Sequence, residues 1–453
     1  MADKPQLFGT DGVRGVAGQY PLDRVTVWKL GRALGAVLAR GPIARPLRVV
    51  LGEDTRESSG WISGVLAAGL QSRGVEASYV GVITTPGVAY LTRRRGFAAG
   101  VVVSASHNPF EDNGIKILSH AGMKLPESAE VEIELALGEC ETPGAGETGT
   151  PLRSDDGLLN DYLDYLAAML PAGRLRPRPQ LVVDCAHGAA SRVIPALFER
   201  AGIEARVLHA EPNGRNINLG SGSLHPEIMA EETHASGADL GVAFDGDADR
   251  AIFATRQGRI LDGDHILYAS ALFLDPRGRL KGRAVVGTLM TNLGLELVLG
   301  ERGIGLKRAL VGDKYVLEEM LRSGINLGGE PSGHIIFSDI SLAGDGIITL
   351  LQVLHLLEET GQPLHQLVSG LRQFPQIIRN VRVREKPPLE SIPEVARALA
   401  DCRREFVERG RVVVRYSGTE PLARVMVEAE EDEAVERHAA RIAEAIESAL
   451  GVK

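Results

Sequence analysis

The chain has 453 residues, 44% hydrophobic and 24% charged, which excludes long disorder, a fibrous repeat and one ordinary core, and points to several domains. A net charge of −9 with scattered lysines and arginines argues against nucleic acid as a partner, so an anionic ligand would need a local positive site. Cys140, Cys185 and Cys402 show neither disulfide nor metal-ligand spacing, the N-terminal stretch is polar, and no run of about 18 apolar residues occurs; the expectation is a cytoplasmic chain, neither secreted nor membrane-spanning.

The segment Phe8-Gly9-Thr10-Asp11-Gly12-Val13-Arg14-Gly15 packs glycines around one arginine. Glycine lets the backbone approach a ligand closely, and the Arg14 fork can hold a phosphate through two parallel bonds. From residue 46 onward, short runs of Val, Ile and Leu alternate with longer amphipathic stretches, the pattern of strands joined by crossover helices. This predicts α/β architecture, with strands at 47–51, 99–103, 181–183, 240–243, 284–287 and 325–327. Polar, glycine-containing turns follow nearly every one. Ligands of open α/β sheets bind beyond the carboxyl ends of strands, so the chemistry is expected in those turns.

Directly after the run 99–103 stands Ser104-Ala105-Ser106-His107-Asn108-Pro109, an exposed-turn serine beside a histidine. As a nucleophile or phosphate carrier Ser106 would need a cation nearby; as a plain turn it would only cap a helix. Residues 138–156, rich in Gly, Thr, Pro and Glu, read as a connection between domains. After the apolar run 240–244 comes Asp245-Gly246-Asp247-Ala248-Asp249-Arg250. Alternate aspartates in a glycine-bearing loop turn three hard oxygen donors inward, which suits Mg²⁺. A calcium EF-hand fails on spacing, since Arg250 and Arg256 fall where that loop needs Gly and an acid. An aspartate nucleophile at the strand end would leave Ser106 unexplained.

The turn Gly312-Asp313-Lys314-Tyr315 is polar with no assigned role, and Gly329-Glu330-Pro331-Ser332-Gly333-His334 pairs a carboxylate with a hydroxyl for vicinal sugar hydroxyls, with His334 as a proton carrier. An amphipathic helix ending near Gly370 gives way to strand-like residues 377–383. After the strand 412–414 comes Arg415-Tyr416-Ser417-Gly418-Thr419-Glu420-Pro421, whose guanidinium, hydroxyls and turn amides form an anion nest, with Arg424 on the next strand adding charge. Apolar residues at helical spacing over 432–450 predict a closing amphipathic helix.

Together and in this order, these segments resemble the α-D-phosphohexomutase superfamily over nearly the whole chain. The resemblance implies four domains around a central cleft: three α/β sandwich-like domains with mixed sheets and a smaller C-terminal α+β domain. Expected bounds are 1–155 for the phosphoserine loop, 156–255 for the magnesium loop, 256–370 for the sugar-recognition loop and 371–453 for phosphate binding. It implies phosphorylated Ser106 as the carrier, with Ser106, Asp245, Asp247 and Asp249 around one Mg²⁺. Lys116, in Asn113-Gly114-Ile115-Lys116, resembles the family's general base, supported by His107, Arg250 and His334. Arg14, Glu330, Ser332, Arg415, Ser417, Gly418, Thr419 and Arg424 are the implied substrate-binding residues. Phe8 to Gly15 and Ser417 to Pro421 look like the glucosamine-phosphate branch, which implies a glucosamine 1,6-bisphosphate intermediate. Mannose or glucose phosphates under the same mechanism are the alternative. Pro331 and Tyr416 depart from that branch, where Gln and Pro are usual. The implied partners are a small phosphosugar and, in a homodimer, a second copy of the chain.

Overall fold

In a computed structural model, the structure describes residues 7–9, 11–41, 46–144, 149, 151–170, 179–407, 409–417 and 421–452. Three sheets repeat one arrangement. In the first, Glu76–Val82, Arg48–Glu53 and Ala99–Val103 run parallel and Asp112–Ser119 pairs antiparallel with the last of them. Ala205–Leu208, Leu181–Asp184 and Leu240–Phe244 with antiparallel Ala251–Thr255 follow the same order. So do Gly305–Ala309, Ala284–Thr288 and Leu327–Gly329 with antiparallel Ile335–Phe337. In each sheet the link from the last parallel strand to its antiparallel neighbour leaves a carboxyl end. Those three links carry Ser106, the aspartate triplet and the Glu330 to His334 turn. Val13–Val16 and Ile260–Leu261 extend the first and second sheets by one antiparallel edge strand each.

The expected strands overlap observed ones, with the apolar run Ala99–Val103 matching residue for residue. The expected 325–327 strand is the exception in register: Leu327–Gly329 is the strand, because the helix Asp313–Ser323 ends at left-handed Gly324 and the chain first turns back toward the sheet. Gly328 then lies under Met320, where a Cβ would stand 2.6 Å from the sulfur.

One apolar core runs continuously from Val50 of the first unit to Leu371 of the third, and a second lies under the helices Arg24–Arg40 and Ser59–Gln71. Those two helices touch backbone to backbone. A Cβ at Gly69 would stand 2.2 Å from the Trp28 carbonyl oxygen, so Gly69→Ala must force them apart. We expect a lowered thermal midpoint equivalent to about 1–3 kcal/mol, the usual cost of overpacking, with catalytic constants of the surviving fold unchanged.

The C-terminal unit is a three-stranded antiparallel sheet, Gln376–Arg382, Leu422–Ala429 and Gly410–Tyr416, covered by the helices Pro393–Phe406 and Asp432–Leu450. It has its own core. Buried Glu428 ties it to the third unit by accepting the Leu293 N–H at 2.8 Å, and Arg411 donates to the Leu289 carbonyl at 2.9 Å. No described helix is long and apolar enough to cross a membrane.

Candidate active site

Ser106 is 2% exposed and lies in the left-handed backbone region at φ 51°, an uncommon place for a residue with a Cβ. Hydrogen bonds close around it. Its N–H donates to Ser104 Oγ at 3.0 Å, Ser104 Oγ donates to Asp54 at 2.6 Å, and Asp54 pairs at 2.9 Å with Arg56, whose Nη2 returns to the Ser106 carbonyl at 2.9 Å. The hydroxyl that results points out of its own unit and donates to Asp245 Oδ2 of the second unit at 2.6 Å. Asp245 follows the buried strand Leu240–Phe244, whose apolar side chains fix where the loop begins. Gly246 has to be glycine, because a Cβ there would stand 2.4 Å from the Ser106 carbonyl.

Asp245, Asp247 and Asp249 are buried, and each offers an oxygen within 4.8 Å of the others. Burial first, then the charges of Asp249 and Asp247, hold the Asp245 carboxyl well above the usual range, so the triad alone is electrostatically frustrated. Asp247 Oδ1 has no hydrogen-bond partner, and Asp249 Oδ1 has none closer than the charged nitrogens of His334 and Arg250 at 3.7 and 3.8 Å. Buried carboxylate oxygens without donors fit a hard divalent cation, and this donor set can hold a metal ion.

Cations line the other side. Lys116, on the strand Asp112–Ser119 and 2% exposed, stands 2.7 Å from Asp247 Oδ2 and 3.1 Å from Asp11. Burial works against its charge, yet Asp11, Asp247 and Asp249 outweigh it and hold Lys116 above the usual lysine range. Thr85 Oγ1 shares the same Asp247 oxygen at 2.5 Å. His107 Nδ1 lies 3.3 Å from Ser106 Oγ and 3.1 Å from Arg250 Nη1. Its burial, with the charges of Arg250 and Arg14, lowers it to about 4, so it is neutral at pH 7. His334 behaves oppositely: burial opposes its charge, but Asp249, 3.7 Å away, and Asp313, 3.9 Å away, raise it to about 9.

A cleft of about 650 Å³ opens over these groups, lined by Arg14, His107, Arg250, Glu330 and His334 among others. Arg14 pairs with Asp11 across one turn of chain. Glu330 accepts the Gly312 N–H at 2.9 Å, which brings the polar turn of unassigned role onto the sugar-loop turn. Lys124 bridges Asp313 at 2.7 Å and Asp11 at 2.5 Å, joining the first and third units beside the cleft. Asp11 was visible in the glycine-rich segment but had no distinguishing signal, and Lys124, Thr85, Arg56 and Asn218 had none either. Ser332 is exposed at the tip of its turn.

Arg415, Ser417 and Arg424 do not line this cleft. Arg415 sits opposite Arg424 in the strand register, and burial, then the Arg424 charge, lowers it below the usual arginine range. Ser417 is 5% exposed, donates its N–H to the Leu422 carbonyl at 2.8 Å, and its backbone carbonyl accepts from Lys386 Nζ at 2.7 Å. Gly418 and Thr419 lie outside the described residues. The structure therefore joins three of the four expected loops into one site.

Family models for phosphoglucomutase/phosphomannomutase match in chain order: alpha/beta/alpha domain I over residues 5–142, domain II over 160–258, domain III over 262–374 and the C-terminal domain over 379–445. A phosphoglucosamine mutase from Koribacter versatilis is 49% identical over 99% of both chains. A phosphoglucomutase/phosphomannomutase family protein from Burkholderia thailandensis shares the fold at TM-score 0.79 and 24% identity, covering 98% of this chain and 99% of its own. An Aspergillus fumigatus N-acetylphosphoglucosamine mutase, solved in complex with GlcNAc-6P and magnesium, does so at TM-score 0.64 and 19% identity, over 98% and 96%. Four matched domains in order, a serine loop facing an aspartate triad, and near-half identity from end to end place the chain in the phosphoglucomutase/phosphomannomutase family, among the phosphoglucosamine mutases.

Proposed function

We propose that the protein interconverts glucosamine 6-phosphate and glucosamine 1-phosphate through a phosphorylated Ser106 and a glucosamine 1,6-bisphosphate intermediate. The observation that carries this reading is Ser106 Oγ, 2.6 Å from Asp245 of a buried carboxylate triad, beside a sugar-sized cleft that Asp249 and His107 line. In the forward direction the Ser106 phosphoryl passes to the sugar O1 and the hydroxyl proton passes to Lys116. The bisphosphate turns over in the cleft, and Ser106 Oγ then takes the 6-phosphoryl as Lys116 returns the proton to the departing sugar O6. Asp245, Asp247, Asp249 and the carrier oxygen would hold one Mg²⁺, which offsets charge on the transferring group when bound. Lys116 accepts a proton only as the amine, so the grip of Asp247 must loosen before transfer; Asp247 is one of the carboxylates the metal would share. Arg250 faces the same transferring group, His107 steers the carrier oxygen as a neutral ring, and His334 serves as a proton donor.

Glu330 and Ser332 would take the sugar hydroxyls, and Arg14 a phosphate at the rim. We assign the phosphate that is not reacting to Arg415, Ser417, Gly418, Thr419 and Arg424. Arg415, Ser417 and Arg424 do not line the cleft, so on this assignment the C-terminal unit would have to approach bound substrate. Domain bounds at 155, 255 and 370 complete the assignment, with the enzyme in the cytoplasm as a homodimer. The buried thiols of Cys140, Cys185 and Cys402, all unpaired, accord with a reducing compartment. A coupled assay with glucosamine, glucose and mannose 6-phosphates tests the substrate: kcat/KM should favour glucosamine 6-phosphate, and equal or greater values for a neutral hexose would transfer the assignment to that sugar.

Arg415→Ala should raise KM for the 6-phosphate about 10- to 100-fold, because a charge-assisted fork contributes roughly 1.5–3 kcal/mol. Escaping bisphosphate would leave Ser106 bare, so added glucosamine 1,6-bisphosphate should partly restore the rate. An unaltered KM with no response to bisphosphate would make the C-terminal loop structural.

A further inference from the structure

The loop 209–221 of the second unit reaches across to the serine loop of the first, and its inner end is Asn218. This residue is 9% exposed and sits at φ 59°, in the left-handed region that asparagine tolerates better than most residues. Its N–H is fixed by the Ala186 carbonyl at 2.9 Å. Its side-chain Nδ2 donates to the Ser106 carbonyl at 2.9 Å and to the Asn108 carbonyl at 3.1 Å. Arg56 Nη2 donates to the same two carbonyls, at 2.9 Å each. Each carbonyl thus receives one donor from its own unit and one from the neighbouring unit. Gly246, directly beneath, comes within reach of both groups: a Cβ there would stand 2.4 Å from the Ser106 carbonyl and 3.0 Å from Asn218 Nδ2.

We propose that Asn218 is a positioning residue for phosphoryl transfer, its amide pinning the two carbonyls that set the backbone of Ser106 and hence the aim of Oγ at the aspartate triad. This rests on the reading of Ser106 as the carrier. Arg56, with Ser104 and Asp54, fixes the loop only to its own unit, and the other bonds between the two units at this point, from Ser106 Oγ, Thr85 and Lys116, end on the triad rather than on the serine-loop backbone. Asn218 belongs to the same unit as Asp245, so it fixes the distance between carrier and triad. That distance is the one on which transfer depends, since a misplacement of about 1 Å at a reacting centre can cost on the order of 10²-fold.

The test uses the full-length enzyme and three substitutions. Asn218→Gly removes the amide and accommodates the left-handed backbone without strain, whereas Asn218→Asp keeps the shape and replaces the donor with an acceptor facing two carbonyls. Arg215→Ala, on the exposed outer part of the same loop, removes the 2.7 Å contact with Glu57 and the guanidinium 5.8 Å above the Phe110 ring, and leaves in place every donor to the Ser106 and Asn108 carbonyls. The expected result is a fall in kcat of about 10- to 100-fold for both Asn218 variants with KM within about twofold of wild type, while Arg215→Ala keeps wild-type kcat. Ser106 should still carry phosphate by intact-protein mass spectrometry in all three. If Asn218→Gly does not fold, Asn218→Asp decides. Wild-type kcat in either folded Asn218 variant, a loss confined to KM, or an equal loss in Arg215→Ala would overturn the proposal by making the loop a simple docking element. Absence of phosphate from wild-type Ser106 even after incubation with glucosamine 1,6-bisphosphate would remove the carrier reading itself, and this inference with it.

Discussion

Ser106→Ala is expected to lower mutase turnover on the order of 10⁶-fold, the scale on which loss of a serine nucleophile acts in enzymes that work through one. The fold should be indifferent to the change. Serine and alanine carry the same Cβ, so the strain of the φ 51° backbone is unaltered, and the ring through Ser104, Asp54 and Arg56 uses only the backbone of residue 106. What disappears is the hydroxyl on Asp245 and with it the carrier. Wild type should show an added mass of about 80 Da, one phosphate on serine, and the variant none. Binding of glucosamine 6-phosphate to the variant should survive, since the groups assigned to the sugar and phosphate are untouched. Appreciable mutase turnover by the alanine enzyme would end the assignment of Ser106.

The second large effect belongs to Asp247→Asn. Asp247 is a hub: one oxygen takes Lys116 at 2.7 Å and Thr85 at 2.5 Å, and the other has no hydrogen-bond partner. The amide can still accept from Thr85 but gives up a charge to both the metal and Lys116. Outer-shell changes at metal sites typically cost about 10- to 100-fold in affinity, so removal of a ligand charge should cost at least the upper end of that range. Turnover should fall with it. Calorimetric titration with Mg²⁺ reads this without any sugar present. Thermal stability gives an independent measure, because a ligand that binds only the folded state raises its midpoint. Wild type should be stabilised by Mg²⁺, relieving three crowded carboxylates, whereas the variant should respond little and be no less stable in chelator. A chelator-treated wild type that keeps full activity and shows no Mg²⁺-dependent midpoint would eliminate the metal site.

Much of this was legible in the order of the residues, for identifiable reasons. The parallel strands are buried on both faces, so 99–103 and 240–243 appear as unbroken apolar runs ending where the reactive loops begin. Some of the strands missed lie at edges, where Ala205–Leu208 and Gly305–Ala309 mix charge with apolar residues; others are buried and interior, such as Ala251–Thr255 and Asp112–Ser119, the latter opening on Asp and Asn. In the site, Ser106 and the aspartates announced themselves because several special residues fall within a few positions. Asp11, Lys124 and Asp313 meet only because two units pack together, and each is an ordinary surface residue in its own segment. The Arg14 fork expected to face phosphate is engaged with Asp11, a pairing three residues apart that spacing alone permits but does not require. Arg56 and Asn218 act through backbone carbonyls of another segment, and no local pattern marks such a partner.

The repeated order of the three sheets has a consequence for how such an enzyme can change. The residues proposed as carrier, charge neutraliser and sugar contacts occupy the same hairpin in successive copies of one scaffold, as expected if a single ancestral unit had been copied twice and each copy then specialised. The division makes specificity separable from chemistry. His334 and Gly333 are tied to Asp249 and Ala251 of the second hairpin, but Pro331 and exposed Ser332 stand at the tip of the turn, so on the proposed assignment a change at Pro331 would retune which sugar is accepted without rebuilding the catalyst.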